Sequence, residues 1–390
     1  MKDTVRVILA LLIAAGCGVC AAMAPKDDDK SPAAKLVDEK VIFKFTGDKD
    51  TAPGRDPGSM KLSPDGKRLL YIRRKRLEVG KGSPTRAYEV RLRTLAGGEE
   101  VVLPIPAYTW DDIPRMMISM NVFDAAGKRI VLGIGVDKNN DGLHKHREEK
   151  LQPAFYDIAK DKVTKLDVTD EIVLPTFDRT GKGLIIIAAT EKARTGKMYT
   201  TPADKIKLKE CGTWGLPRST CPTADVIPLL LPPKRDADGR RGKWEFVLYD
   251  LANDKIAAKL PMDERNTMLD DYNPQWTADG RYLYYVDVKM AEAGGRRVTF
   301  TRIWDRKEGK LAGEIEKAVA IGPGPTKTTM VLSRRRMSSL MIHDAASGKT
   351  WQLASGQPIR PASVTSKYIL YVKFNGEERT LCRARIALPK

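Results

Sequence analysis

Residues 137–148 carry the clearest pattern of side chains in this sequence that could do chemistry. They read D-K-N-N-D-G-L-H-K-H-R-E and match the calcium-loop pattern D-x-[DN]-x-[DN]-G-x5-E at every specified position. Alternate positions offer side-chain oxygens, Gly142 permits the sharp turn, and the last position can close the shell with both carboxylate oxygens. The predicted Ca²⁺ ligands are Asp137, Asn139, Asp141, the backbone carbonyl of Leu143, and Glu148.

Three cations within the same segment oppose this prediction. Lys138, Lys145 and Arg147 would repel a bound cation, which predicts weak affinity, roughly 10⁻⁴–10⁻³ M as in extracellular modules. The alternative interpretation is a polar hairpin tip. Bound calcium would stabilise structure rather than take part in catalysis. The pair His144 and His146 could also be a metal pair, but the sequence places no further ligand beside it.

The elements around this loop follow a repeat of strand, tight turn and strand. The first copy is Ser63-Pro64-Asp65-Gly66-Lys67 followed by an apolar strand. Proline presets φ for the second turn position, and glycine takes the positive φ that closes the turn. The other clear copies carry their turn glycine at Gly127, Gly181 and Gly280, and weaker copies lie at 326–332 and 362–371.

A second hairpin follows each copy and has its own signature. An aromatic or apolar residue precedes an aspartate, then come a polar turn, a lysine and a second strand. The copies begin at Tyr156-Asp157, Tyr249-Asp250, Trp304-Asp305 and His343-Asp344, and residues 90–103 form the equivalent in the first unit. His343 therefore occupies a structural position. Two hairpins per unit predict a four-stranded antiparallel sheet.

Six such units predict an all-β fold, a six-bladed β-propeller of four-stranded antiparallel blades. The last unit has only three strands before the chain ends. The strand 41–45 lies far from any partner in sequence, and it could supply the fourth strand and close the ring. A β-sandwich is the main alternative, but it does not predict six copies of one unit.

The Ser-Pro-Asp-Gly-Lys copies and the aromatic-Asp hairpins resemble the WD40-like (PD40) repeats of TolB-type β-propellers. The resemblance covers residues 58–390. It implies a propeller fold in the cell envelope, and its motif is specific for the fold rather than for one function.

Residues 191–243 depart from the repeat and are predicted as an insertion between the second and third strands of the third blade. This segment and the 137–148 loop would emerge on one face around the central channel, which is the predicted binding surface. A segment that only covers the blade edge is the alternative. Cys211 and Cys221 lie within it, and a disulfide between them is favoured over a metal site.

Residues 1–24 are predicted to be an export signal. Lys2 and Arg6 precede an apolar run from Val7 to Ile13, and small residues follow. Release as a free protein, lipidation at Cys17 and retention as an anchor remain open. Residues 25–57 read as a linker with the ring-closing strand. No later stretch has the ~20 apolar residues that cross a bilayer, so the mature chain is predicted to be extracytoplasmic without a transmembrane helix.

The net charge of +18 indicates an anionic partner or a basic solvated surface. The cations look scattered along the chain, and no aromatic residues interleave with the runs at 73–76 and 334–336, so nucleic acid is not favoured. Signals for catalysis are absent: the chain has neither a G-x-S-x-G elbow nor a phosphate loop, and only 3 histidines. Acidic pairs such as Asp111-Asp112 read as surface residues.

These observations favour a monomeric, non-catalytic, exported propeller that binds a protein or an anionic envelope component. The alternative is a propeller lyase or hydrolase acting on acidic polysaccharide, favoured by the basic charge and the predicted calcium loop.

Overall fold

The computed structural model describes the strands of the chain and most of their turns. The described ranges are 33–46, 60–77, 85–109, 122–145, 149–189, 196–202, 209–214, 219–231, 244–262, 274–290, 297–334, 339–354, 359–376 and 378–389. Several predictions concern residues outside these ranges: the export signal at 1–24, Asp111-Asp112, His146, Arg147 and Glu148. The described residues contain strands and turns and no helix.

The predicted Pro-Asp-Gly turns form as expected. Gly66 has a φ of +71°, and its amide donates to the Ser63 carbonyl at 2.8 Å. The Ser63 amide donates to the Arg68 carbonyl at 2.9 Å, which joins the first and sixth residues of the turn. The same first-to-sixth bond closes the turns that begin at Asp124, Asp178 and Thr277.

Three further turns close in a similar way. Two of them correspond to the weak copies predicted at 326–332 and 362–371, and the turn at 221–226 was not predicted. Cys221 and Gly324 each begin a turn with the first-to-sixth bond, and a shorter turn joins Thr365 to Tyr368. Ala224 and Lys327 stand where the other turns have glycine, and neither takes a positive φ. The described residues therefore contain seven repeat turns instead of six.

The predicted aromatic-Asp hairpins are confirmed as the connections between the third and fourth strands. In each, the residue after the aspartate, or after Thr94 in unit 1, donates its amide to the fifth residue of the turn in the same unit. This bond recurs from Leu95 to Lys67, Ile158 to Lys128, Leu251 to Asp225, Arg306 to Arg281 and Ala345 to Thr328. Its presence at Asp225 and Thr328 shows that the unpredicted turn at 221–226 and the weak copy predicted at 326–332 both belong to the repeat.

We number the units by these turns and give their strands in chain order. The N-terminal strand is β1 (Ala34–Thr46). Unit 1 comprises β2 (Met60–Leu62), β3 (Arg68–Leu77), β4 (Thr85–Thr94) and β5 (Glu100–Val102). The short β6 (Ala107–Tyr108) follows. Unit 2 comprises β7 (Arg129–Gly135), β8 (Leu143–His144), β9 (Leu151–Asp157) and β10 (Lys162–Lys165), and a bridge joins Phe123 to Ile130.

The later units continue the same order. Unit 3 comprises β11 (Ile172–Phe177), β12 (Gly183–Ala189), β13 (Gly196–Pro202) and β14 (Lys209–Trp214). Unit 4 comprises β15 (Val226–Leu231), β16 (Glu245–Asp250) and β17 (Lys255–Leu260). Unit 5 comprises β18 (Gln275–Trp276), β19 (Tyr282–Met290), β20 (Arg297–Asp305) and β21 (Lys310–Glu316). Unit 6 comprises β22 (Ala318–Pro323), β23 (Thr329–Arg334), β24 (Leu340–Asp344) and β25 (Thr350–Ala354). Unit 7 comprises β26 (Ile359–Val364), β27 (Ile369–Asn375) and β28 (Glu378–Ala387), with β1 as its fourth strand.

The predicted insertion at 191–243 is wrong as a description of this segment. It contains β13 and β14, which complete the four-stranded sheet of unit 3, and then β15, which begins the sheet of unit 4. The sequence hid this boundary because the turn at 221–226 lacks glycine. Four-stranded sheets are also not uniform. In the described part of the chain the sheets of units 2 and 4 each have three strands, and β8 of unit 2 pairs instead with β6 in the sheet of unit 1.

The N-terminal strand completes the last unit, as predicted, but it is longer than 41–45. β1 pairs antiparallel with β28, from Lys35 opposite Ala387 to Thr46 opposite Glu378. Its first residues also pair in parallel with β25, so units 6 and 7 share one eight-stranded sheet.

Unit 7 packs directly against unit 1. The Leu62 amide donates to Ser363 Oγ at 3.2 Å, and Arg383 donates to the Gly66 carbonyl. A Cβ at position 66 would lie 2.4 Å from the Tyr368 ring, so only glycine fits there. A shared apolar core that includes Leu69, Leu370 and Leu381 fills the space between the two sheets. Units at the two ends of the chain thus meet in one packed seam.

Cys221 is a free, fully buried thiol, so the predicted disulfide to Cys211 is wrong. As the first residue of the unit 4 turn, it packs against the turn of unit 5, where its thiol donates to the Gly280 carbonyl at 3.5 Å. Cys382 is a buried thiol, as predicted.

Candidate functional site: a cationic seam between units 7 and 1

The predicted calcium loop is a compact turn whose acidic oxygens accept hydrogen bonds from its own amides. Asp137 accepts from the amides of Asp141 and Gly142 at 3.1 and 2.8 Å, and Asp141 accepts from the Leu143 amide at 2.9 Å. Gly142 has a φ of +77°, as the pattern requires. β8 pairs with β6, which in turn lies beside β4, so this loop is attached to unit 1.

A lysine occupies the side of Asp141 that a cation would need. Lys145 Nζ lies 2.7 Å from the Asp141 carboxylate, and this hydrogen bond is the main reason that the pKa of Asp141 is lowered. The neighbouring Glu149 is buried and accepts from the amides of Lys138 and Lys145, both at 3.0 Å. Among the described residues no three His, Cys, Asp or Glu side chains are grouped so that they could hold a metal ion. The predicted ligand Glu148 lies outside the described residues, and the calcium site stays a prediction.

The two described histidines are buried in the structure. Tyr284 Oη and His343 Nδ1 lie 2.7 Å apart, and burial lowers the pKa of His343. His144 packs edge-on against the Tyr108 ring, and its Nδ1 lies 3.7 Å from Glu149. Both rings pack inside the fold, His343 at the structural position predicted for it.

The cations of this protein are concentrated rather than scattered, which corrects the sequence interpretation. The described residues of units 7 and 1 contain 19 Lys and Arg but only 7 Asp and Glu, a net +12 against +18 for the whole chain. These residues come from both ends of the sequence, so the folded sheets gather charge that looks dispersed along the chain. The seam between units 7 and 1 is the most basic region described.

A network of arginines around Glu100 forms the outer part of this seam. Arg91 holds the Glu100 carboxylate at 2.5 Å, with Arg93 and Arg73 at 3.6 and 3.7 Å. Tyr71 donates its hydroxyl to the same carboxylate. Although partial burial opposes ionisation, the hydrogen bonds from Tyr71 and Arg91 lower the pKa of Glu100, so it remains charged. Including Glu89, which pairs with Arg91 at 2.8 Å, the network keeps one positive charge in excess.

Aromatic side chains from unit 7 lie beside arginines of both units. Arg93 stands over the Phe43 ring at 5.6 Å, and Phe43 lies 6.0 Å from both Phe45 and Tyr71. Arg379 stands over the Phe374 ring at 5.7 Å. Guanidinium groups stack well on aromatic faces, so both the rings and the cations are held in place. The seam thus combines fixed positive charge with apolar surface.

Lys61 extends the same positive charge toward the innermost strand of unit 1. It lies in β2, and burial lowers its pKa to about 8. Arg360 occupies β26, the corresponding strand of unit 7, and β2 packs against β26. The basic character of units 7 and 1 therefore runs from their first strands to their outer strands.

Sequence reasoning missed this site because its residues are far apart in the chain. The ring under Arg93 is Phe43 of β1, about 50 residues earlier in the sequence. Phe374, the ring under Arg379, comes from β27, about 300 residues after Arg73. The ring-closing strand was the one available signal. A strand that completes the last unit of a closed ring lies near the first unit, so this prediction placed residues 41–45 near unit 1.

Comparisons with known proteins support the fold. No protein-family description matches the sequence, and no curated protein matches it. The β-propeller domain of the Trilobed protease from Pyrococcus furiosus is similar in structure, with a TM-score of 0.56 and 10% identity over 87% of this chain and 94% of that one. An oligogalacturonate lyase in complex with manganese has a TM-score of 0.50 and 12% identity, covering 90% of this chain and 97% of that one.

TolB from Acinetobacter baumannii is a more distant match, with a TM-score of 0.38 and 12% identity over 83% of this chain and 82% of that one. That value is too low to support the TolB resemblance. The chain has a β-propeller fold. In the described ranges no helix is long and apolar enough to cross a bilayer.

Proposed function

We propose that this protein is an exported, non-catalytic β-propeller of seven units that binds an anionic component of the cell envelope through the seam between units 7 and 1. The observation that carries the proposal is the net +12 of these two units. Surplus cations packed beside one another repel and destabilise a fold, so their concentration in one place is best explained by an anionic ligand.

The rigid surroundings of the seam support a binding role. β1, β27 and β28 form one continuous sheet, and Arg383 and Tyr368 join it to the first turn of unit 1. A surface held in this way loses little conformational entropy when a ligand binds.

The test is binding of the full chain to a panel of polyanions at low and at physiological salt. Polygalacturonate, heparin and vesicles with anionic phospholipid are the probes, with neutral dextran and neutral vesicles as controls. We expect binding to at least one polyanion that weakens steeply with salt, and that is reduced by Arg73→Glu but not by Lys259→Glu, a cation of unit 4. Equal reduction by both variants would show that net charge, and not the seam, is responsible.

Lys61 favours a second candidate, a lyase acting on an acidic polysaccharide. An amine whose pKa burial lowers to about 8 can accept a proton near neutral pH, as a general base must. The similar oligogalacturonate lyase shares the fold at low identity, which by itself supports no activity. Incubation of the full chain with oligogalacturonate distinguishes the candidates, because a lyase releases an unsaturated product and a binding protein leaves the polymer intact.

A further inference from the structure

We infer that the anionic ligand of this seam is a phospholipid membrane surface, with Arg73, Arg93 and Arg379 contacting lipid phosphates and Phe374 contacting the boundary of the acyl region. The inference rests on the proposed function and narrows it to one class of ligand. It is argued from the chemistry of three groups of side chains: the arginines, the carboxylate between them, and the exposed apolar residues.

The arginines have the geometry and exposure to bind phosphate. The side chains of Arg73 and Arg93 are 36% and 27% exposed, so both reach solvent while their other contacts hold them. Guanidinium groups bind phosphate oxygens through paired N–H donors, which makes arginine the preferred residue for phosphate recognition. Three guanidinium groups already converge on one carboxylate here, which shows that the cradle accepts an anion.

Glu100 is the internal anion of this cradle. It lies at the start of β5, a strand of three residues whose one partner among the described strands is β4. A lipid phosphate approaching Arg73 and Arg93 competes with the Glu100 carboxylate for the same donors. Removing this negative charge should therefore strengthen lipid binding, although it weakens the hydrogen bonds that the Glu100 side chain accepts.

Exposed apolar residues distinguish a membrane from a purely polar polyanion. Five large hydrophobic side chains are exposed in the described residues, and four belong to units 1 and 7. They are Val41 at 56%, Val102 at 44%, Val101 at 43% and Phe374 at 38% exposure. An acidic polysaccharide offers no apolar phase for these side chains, whereas basic residues beside apolar ones are typical of proteins that lie on anionic bilayers.

The test is co-sedimentation of the full chain with vesicles that contain phosphatidylglycerol, compared with vesicles of phosphatidylcholine alone. All variants keep residues 1–32, so a contribution of that segment cancels in the comparison. Each Arg near an anionic surface contributes about fivefold in partitioning, so we expect Arg73→Glu with Arg379→Glu to reduce binding by more than tenfold. Phe374→Ser should reduce it by a smaller factor, and Glu100→Gln should increase it about fivefold.

Two matched controls lie in unit 4, where Lys259 and Glu245 form an exposed ion pair at 2.9 Å. Lys259→Glu and Glu245→Gln carry the same type of charge change outside the seam and should leave partitioning within twofold of the unaltered chain. The thermal unfolding midpoint of every variant shows whether it is folded. If the unit 4 variants shift binding as much as the seam variants, or if folded Glu100→Gln binds no better, the inference is wrong.

The outcome also separates this inference from the proposed function. Seam-dependent binding to polygalacturonate without binding to anionic vesicles would overturn the lipid inference and leave the anion-binding proposal standing. Binding to neither would overturn both.

Discussion

Two charged networks occupy equivalent places in units 1 and 5, and they differ in a way that separates stability from binding. In unit 5, Tyr285 lies opposite Arg302, and Arg302 lies opposite Glu314 in the strand pairing. In unit 1, Tyr71 lies opposite Arg91, and Arg91 binds Glu100 of the fourth strand. The repeat thus places a tyrosine, an arginine and a glutamate in the same order across three strands.

The residue two positions after each tyrosine decides the net charge of the network in that unit. In unit 5 it is Asp287, which is fully buried and pairs with Arg302 at 2.9 Å. In unit 1 it is Arg73, and in unit 7, after Tyr371, it is Lys373. One carboxylate therefore closes the network in unit 5, while Arg73 at the same place in unit 1 leaves positive charge near solvent. In unit 7, Lys373 is paired with Glu39 at 2.6 Å. The comparison teaches that the same scaffold serves as a buried structural link in one unit and as a binding surface in another.

The largest expected effect is the loss of the buried carboxylate in unit 5. Asp287→Leu leaves the Arg302 guanidinium poorly compensated between two packed sheets. Breaking a buried pair by removing one partner costs about 3–5 kcal/mol, so the free energy of unfolding should fall by about that amount. Denaturant unfolding measures it. A loss no larger than that of Glu100→Gln in unit 1 would show that the two networks do not differ in this way.

Lys61 should lower the free energy of unfolding more than any other single cation of unit 1. Burial lowers its pKa from an ordinary 10.5 to about 8, so the unfolded chain binds the proton more tightly than the folded one. Stability should therefore rise with pH between about 8 and 10.5. Lys61→Met should remove this rise and increase the free energy of unfolding at pH 7 by about 1–3 kcal/mol, measured by denaturant unfolding across this pH range. An unchanged pH profile would refute the assignment.

Glu100→Gln should have a moderate effect on stability. The network of unit 1 is half-exposed, and solvent screens the arginines that lose their anion, so we expect a loss of about 1 kcal/mol. The same variant should bind anionic vesicles better. Stability and binding would then move in opposite directions at one residue, which urea unfolding and co-sedimentation of the same preparation can show.

Arg73→Asp transfers the unit 5 pattern into unit 1. The new carboxylate can pair with Arg91, as Asp287 pairs with Arg302, so stability should change by less than about 1 kcal/mol. The seam loses two units of positive charge, and binding to polyanions should fall at low salt. A folded variant with unaltered binding would show that Arg73 is not what makes unit 1 differ from unit 5.

The smallest expected effect concerns calcium at residues 137–148. Because Lys145 Nζ contacts Asp141, the unaltered chain should bind Ca²⁺ no more tightly than about 10⁻³ M. Lys145→Ala should strengthen binding if the loop is a calcium site, and Asp137→Ala made in the same background should abolish the gain. Isothermal titration with both variants tests this prediction. If both variants give the same heat, the loop is a plain hairpin turn and not a calcium site.

The sequence predicted the strands and turns well where a residue type is obligatory. Glycine at the fourth turn position marks four of the seven turns, and the aspartate after an aromatic residue marks most outer hairpins. The turns with Ala224 and Lys327 adopt the same hydrogen bonds without a positive φ. The copy with Lys327 was therefore predicted only weakly, and the turn with Ala224, which marks the boundary between units 3 and 4, was missed.

The binding site was harder to predict because it depends on which sheets are neighbours. Arg73 and Phe374 lie 301 positions apart in the sequence. The sheets that carry them become neighbours through the pairing of β1 with β28 and the packing of unit 7 on unit 1. The calcium pattern, in contrast, is local, and its turn formed as its glycine required. The sequence predicted the local turn, but not the concentration of positive charge, which depends on which sheets are neighbours.

Because β1 pairs with β28, the seam is built from the first and last segments of the described chain. Within unit 7, Tyr371 donates its hydroxyl to Glu39, 332 residues away in the sequence. A ribosome or an export channel that has released only part of the protein therefore holds a chain without this surface. The cations of unit 1 are present early, but they acquire their aromatic neighbours only when β27, β28 and β1 assemble. Ligand binding through the seam would report that the whole chain has been delivered and folded.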